Sequence, residues 1–271
     1  MNSTWLTVDF DDKRHLPSFC GHPKRSKHTY EHVIETGLHE TLSKEFVEGM
    51  QGFEAWLETN NHPVTLFVIG DLFSCKEFEL WFSNLLEKFA SRLTVGCHGW
   101  SHKSWSAWPI DPKGFSTDLA KATDIIHKHA GDCFRPWFRA PGGYISPWMA
   151  PVLSEHGYVL DTSINPSWLV KRKSGKGNSW QGVEEALRQN GILSRPWKTH
   201  LTLPINGPAL SIFPLSIVAK RGWKNLPRPL ETDTFEQNLT SQNSKITTLY
   251  WHLLDHARKN QKWIPPLSNF R

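Results

Sequence analysis

Five short segments of this 271-residue chain carry residue types suited to hydrolytic or metal chemistry. The first is Val8-Asp9-Phe10-Asp11-Asp12, an apolar run ending in carboxylates. Adjacent carboxylates at a strand end point to opposite sides, so one can hold a metal while its neighbour acts as a base. The bland alternative is a loop or helix cap, where Asp pairs are common. The second, Gly96-Cys97-His98-Gly99-Trp100-Ser101-His102, sets two His four apart. Two such imidazoles can converge on one divalent ion and, with one carboxylate, leave positions open for water and substrate. In a chain with 14 His the spacing also arises by chance. The third, Phe138-Arg139-Ala140-Pro141-Gly142-Gly143-Tyr144, is a sharp turn presenting a fixed charge that can pair with a catalytic carboxylate. Its alternative is a turn with a surface Arg. The fourth, Leu160-Asp161-Thr162-Ser163 with Asn165, Pro166 and Trp168, reads singly as a turn with a packed Trp. The fifth, Leu249-Tyr250-Trp251-His252, ends a buried strand on a His, which is more often a hydrogen-bonded core residue than a proton donor.

The surrounding elements put these segments in comparable places. Residues 5–10 read as a strand with Asp9, Asp11 and Asp12 at its C-terminal end, followed by a basic, Pro- and Gly-containing loop over 13–27. The pattern suits helices from 31 to 60, where Leu38, Leu42, Phe46 and Met50 recur at four-residue spacing until His62-Pro63 interrupts. Strands are expected at 64–69 and 93–96, a strand-to-loop segment from Phe138, and a last strand at 246–251. Helices are expected at 78–89, 115–129, 147–156 and 234–241. Residues 171–178 read as a mobile basic loop, and 193–229 as short strands and turns. Short strands alternating with helices argue for βα units and a parallel sheet, whose chemistry gathers at the strands' C-terminal ends. The polar segments fall there.

Composition narrows the class. Hydrophobic residues are 38% and charged residues 21%, as in globular chains. The 14 Trp mostly serve core packing, and some suit a sugar site, because aromatic rings stack on sugar faces. The net charge of +5 favours an anionic partner such as a phosphorylated ligand or an acidic membrane surface. No nucleic-acid recognition signature accompanies it. Cys20, Cys75, Cys97 and Cys133 are widely spaced and read as free thiols, with Cys97 a small buried one. No secretory signal and no apolar stretch of ~18 residues is evident, so a cytoplasmic location is expected.

Taken together and in this order, the segments resemble the polysaccharide deacetylases (carbohydrate esterase family 4, the NodB-homology domain) over most of the chain, from Leu6 to about Asp255. Thr7-Val-Asp-Phe-Asp-Asp12 is similar to the family's T-F-D-D motif, and Thr65-Leu-Phe-Val-Ile-Gly70 to its second strand. His98-Gly-Trp-Ser-His102 matches H-[ST]-x-x-H loosely, Arg139-Ala-Pro-Gly-Gly143 matches R-x-P-x-G fully, and Trp251-His252-Leu253 sits where the last L-x-H motif belongs. The resemblance implies a distorted (β/α) barrel of about seven parallel strands in one domain, 1–271. It implies Asp12, His98 and His102 as ligands of a divalent metal, commonly Zn2+. It implies Asp11 as general base, Arg139 as its orienting partner, His252 as general acid and Asp161 as the residue that tunes His252. Pro141, Gly143, Tyr144 and Trp168 are the expected substrate contacts. Lys13 and Lys103 stand where Gly and Pro are common in the family, and Leu249 lies three positions before His252 instead of two. These departures suggest a branch different from the secreted chitin and peptidoglycan enzymes, and the 138–168 segment looks like members associated with surface-glycan assembly.

The reading is therefore a metal-dependent hydrolase removing an N-acetyl group from an amino sugar or glycan precursor, a soluble, nucleotide-linked or lipid-linked one, with peripheral membrane contact open. A related amidohydrolase acting on a non-sugar amide or cyclic ureide uses the same chemistry. An inactive glycan-binding module is the alternative from another class, and it predicts loss of a ligand or proton carrier. All six expected residues are present.

Overall fold

Strand β1 (Asn2–Phe10) splits its side chains by parity. Leu6, Val8 and Phe10 enter the large cluster shared with the helices, whereas Trp5 packs with Phe67, Trp137 and Leu160 on the other face of the sheet. The computed structural model describes residues 2–267. It places β1 beside β2 (Val64–Val68) and β9 (Lys245–His252), with β3 (Leu93–Cys97), β4 (Phe134–Phe138), β5 (Leu160–Asp161) and β6 (Leu193–Ser194) following outward from β2. A short antiparallel hairpin, β7 (Thr199–His200) with β8 (Leu203–Pro204), precedes β9. All pairings in the seven-stranded sheet, of order β6-β5-β4-β3-β2-β1-β9, are parallel. The sheet curls toward closure. Past β6, the Trp197 N–H donates to Ile164 O and the Lys198 N–H to Thr248 O, which links the β5 edge to β9. This is the distorted (β/α) barrel that the sequence predicts.

The helices up to β9 are α1 (Tyr30–Glu35), α2 (Lys44–Thr59), α3 (Lys76–Phe89), α4 (Pro112–Ala130), α5 (Met149–Glu155), α6 (Trp180–Gln189), α7 (Leu215–Gly222) and α8 (Phe235–Thr240). The helical stretch expected over 31–60 is broken at Gly37, whose φ of 69° ends the first helix, and restarts where Ser43 Oγ caps the Phe46 N–H. Helix α7 lies within 193–229, where strands and turns are expected: Pro214 falls just before its first turn, so that proline starts a helix there. The basic segment expected to be a loop is in part a 3-10 turn, Trp168–Ser174.

The turn Leu253–Ala257 follows β9 and lies close on α2. Two glycines permit this: a Cβ on Gly49 would come 2.7 Å from Leu253 O, and one on Gly52 2.6 Å from His256 O. His256 Nε2 accepts the Trp251 indole N–H at 2.9 Å, and burial holds its pKa down to about 4. Because the folded pKa is depressed, His256 favours the fold at neutral pH and loses that contribution as pH falls from about 6.5 toward 4. Up to about 3 kcal/mol is at stake. Thermal midpoints of the metal-free protein should therefore fall on acidification less steeply in His256→Gln, which keeps an acceptor but does not titrate. Equal slopes would contradict this.

Candidate active site at the C-terminal strand ends

Parity and register bring the polar segments together. Asp9 pairs in register with His252 across β1 and β9, His98 follows β3 and Arg139 follows β4. Asp9 and Asp11, two apart, bring their carboxylates together on one side of the chain. Asp11 Oδ1 lies 3.8 Å from His98 Nε2, and its Oδ2 lies 3.7 Å from both His102 Nε2 and His252 Nε2. Asp9 Oδ2 is 4.0 Å from His98 Nε2.

Arg139, fully buried, donates from Nη1 to Asp9 at 2.5 Å, from Nε to Thr162 O at 3.1 Å and from Nη2 to Thr7 Oγ1 at 2.8 Å. Its guanidinium carbon sits 4.2 Å from the Phe67 ring centroid and 5.1 Å from that of Tyr250. The Arg is thus committed to Asp9, a strand-end carboxylate to which the sequence assigns no role, and not to Asp11.

Asp12 is turned away from this group. Its carboxylate caps the 13–15 turn through the Lys13 N–H, accepts the Ser43 N–H at 2.9 Å and the Ser43 hydroxyl, and pairs with Arg14 Nη1 at 3.1 Å. Arg14 and His15 lead on to the fully buried Asp71, at 3.3 and 2.6 Å. Asp161 is also elsewhere: it accepts the Ser163 N–H and hydroxyl at 2.9 and 2.6 Å, and burial raises its pKa to about 7. The carboxylate beside His252 is Asp255, with Oδ2 3.8 Å from Nδ1 and 3.0 Å from the His252 N–H. A carboxylate three residues past the strand end is the only sequence signal for it.

Asp11, His98 and His102 form a group whose ligand atoms all lie within 4.8 Å of one another; Asp9, Asp11 and His252 form another. The first fits a cation better. Asp11 Oδ1, His98 Nε2 and both His102 ring nitrogens are buried without a hydrogen-bond partner, a costly state unless an ion takes them up. In the second group Asp9 already carries Arg139. His98 Nδ1 is 2.7 Å from Arg139 O, which leaves Nε2 facing the pocket. His102 holds φ at 60°, in the left-handed region, a strain of the sort that gathers at functional sites. Burial and the neighbouring His98 keep His102 well below the usual imidazole range. Burial raises Asp11 above the usual carboxylate range, while His252 and His98 pull the other way. A cation among them would favour the carboxylate and the neutral rings that bind it.

A cavity of about 420 Å³ opens over this group, lined by Asp11, His102, Tyr144, Tyr250 and His252. Of the expected substrate contacts, Tyr144 lines it. Pro141 and Gly143 lie in the turn beneath, where the Gly143 and Tyr144 N–H groups bond back to Ala140 O and Pro141 O. Trp168 is exposed and does not line the cavity.

Burial lowers the pKa of His252, but Asp11 and then Asp255 outweigh it and raise it to about 9. In metal-free protein the ring should stay protonated through neutral pH, and its stabilising share should fade only as pH rises toward about 9. Proton resonance titration should show this, and Asp255→Asn should move the midpoint down. A midpoint unmoved by that change would contradict the pairing.

Residues 47–160 match the family model described as polysaccharide deacetylase. The chain carries the fold of the polysaccharide deacetylases. A provisionally named polysaccharide deacetylase from Mycobacterium smegmatis is 15% identical, with a TM-score of 0.55 over 99% of this chain and 80% of that one. A GH57-type branching enzyme from the hyperthermophilic archaeon Pyrococcus horikoshii is 11% identical, at 0.50 over 98% and 66%. A CE4 family pseudoenzyme from Bacillus anthracis is 12% identical, at 0.42 over 92% and 69%. At such identities the likeness is one of fold. Among curated protein sequences none matches this chain. No helix among the described residues is long and apolar enough to cross a membrane.

Proposed function

We propose that this chain is a metal-dependent hydrolase that removes an N-acyl group from an amino sugar or glycan precursor, with Asp11, His98 and His102 holding one divalent cation, most simply Zn2+. The observation that carries the reading is the set of buried, unpartnered ligand atoms gathered at the foot of the cavity that Asp11 and His102 line, beside a carboxylate held by an arginine. A cation bound there supplies an acidified water and polarises the amide carbonyl. Asp9, oriented by Arg139, takes the water proton in this reading. His252, oriented by Asp255, delivers a proton to the departing amine. Asp12 then shapes the turn behind the ligands, and Asp161 supports the strand end that carries Arg139. This places the base and ligand roles two and one residues before those that the family resemblance implies.

The rings of Tyr144 and Tyr250 line the cavity and suit a sugar face better than a small ureide. The rim is cationic. Arg25, Lys173 and Arg258 line it, and Lys173 Nζ donates to Gly142 O at 2.6 Å, with burial and the neighbouring Arg25 and Arg172 lowering its pKa to about 8. That rim suits a phosphate-bearing sugar in the cytoplasm. The presence of every ligand and proton carrier speaks against an inactive module.

Acetate release from a panel of N-acetylated sugars, nucleotide sugars and lipid-linked sugars, with zinc or with chelator, tests the reading. Metal-dependent release from one member is expected. No release with metal confirmed bound would move the function to a non-sugar amide.

A further inference from the structure

Residues 186–230 contain no aspartate or glutamate and seven lysines and arginines. Part of the surface they build is also apolar. Leu201 at the tip of the β7–β8 hairpin is 78% exposed, Phe213 before α7 is 78% exposed, and Ile212 and Ile217 beside it are 52% and 45% exposed. Helix α7 packs on both hairpin strands, and β8 meets the turn Trp168–Ser174, which presents Trp168 at 62% exposure. The three elements are therefore neighbours. Exposed Lys171, Arg172, Lys220 and Arg221 belong to the same elements, and exposed Lys224 lies two residues past α7.

The hairpin tip makes the apolar character costly. Leu201 and Thr202 hold φ at 49° and 62°, where Asn-Gly would sit without strain. Leu201 gains no core burial in exchange. An exposed Leu on a strained two-residue turn, on a hairpin that packs against the helix following an exposed Phe and bearing Lys220 and Arg221, has the chemistry of an interfacial anchor. The face adjoins the cavity mouth, since Pro208 and Ser211, just before Ile212 and Phe213, line that cavity, as does Lys173 from the Trp168 turn.

We propose that this face docks the protein peripherally on an anionic lipid bilayer, with the cavity mouth beside the headgroups. Charge decides between occupants: a surface with cations, apolar tips and no carboxylate over 45 consecutive residues repels a second copy of itself and complements acidic headgroups. The inference is independent of the deacetylase reading and needs no substrate to test.

Sedimentation of the full chain with vesicles of phosphatidylcholine alone, or with phosphatidylglycerol added, reads it directly. Binding should be roughly tenfold tighter with phosphatidylglycerol and weaken with salt. The pair Leu201→Ser and Phe213→Ser should weaken it by about tenfold or more. The pair Lys220→Glu and Arg221→Glu should remove the phosphatidylglycerol preference. Both variants should keep the wild-type thermal midpoint and metal uptake, because the changed side chains are exposed. Wild-type protein left in the supernatant, or variants that bind as wild type does, would overturn the proposal. So would a concentration-dependent dimer that Phe213→Ser dissolves and vesicles do not recruit.

Discussion

Asp11→Asn is expected to reduce metal-dependent acetate release by three orders of magnitude or more, whereas Asp12→Asn should leave most of it. The contrast follows from where each carboxylate points. Asp11 lies 3.8 and 3.7 Å from the two histidines and has one oxygen with no partner. An amide in its place offers a weaker ligand and no charge to balance the cation. Asp12 is occupied by Ser43, Lys13 and Arg14, and none of its oxygens is among the unpartnered buried atoms. Its replacement removes a buried ion pair and a cap, so the expected cost is stability, about 1–3 kcal/mol, with little effect on kcat. Equal loss of activity in both variants, with both folded, would contradict the assignment.

Asp9→Asn is expected to keep the metal and lose roughly two to four orders of magnitude in kcat. Asp9 is held by Arg139 and lies beside the cation group without belonging to its ligand set, which is the position of a base. Arg139→Met should behave differently. It strands the Asp9 charge inside the barrel, where breaking a buried pair costs about 3–5 kcal/mol. The double change Asp9→Asn with Arg139→Met should recover much of that stability and none of the activity. Asp9→Asn with wild-type kcat would remove Asp9 from the mechanism.

The fold was legible because short apolar runs at 64–68 and 93–97 alternate with amphipathic helices, and burial of both sheet faces leaves few other arrangements. The candidate site was legible in its membership of His98, His102, Arg139 and His252, which lie at or just past strand ends. What misled was adjacency. An aspartate pair suggests a base and a ligand side by side, yet strand alternation puts Asp11 and Asp12 on opposite faces and Asp9 with Asp11 on the same one. The alternation Trp5, Thr7, Asp9, Asp11 was available in the sequence and carries the proposed assignment. Asp255 was not comparably visible, because its place beside His252 depends on the turn Leu253–Ala257 folding back, which the glycines of α2 permit. Asp161 is drawn off by Ser163, a local bond that strand spacing does not reveal. Trp168 is conspicuous by type, but its turn faces outward.

The most direct test of the central claim is metal content. Wild type, Asp9→Asn, Asp11→Asn and Asp12→Asn would each be stripped, loaded with zinc, dialysed and assayed for bound ion. One equivalent is expected in wild type, Asp9→Asn and Asp12→Asn, and almost none in Asp11→Asn. An ion retained by Asp11→Asn and lost from Asp12→Asn would contradict it and return the ligand to the second aspartate of the pair.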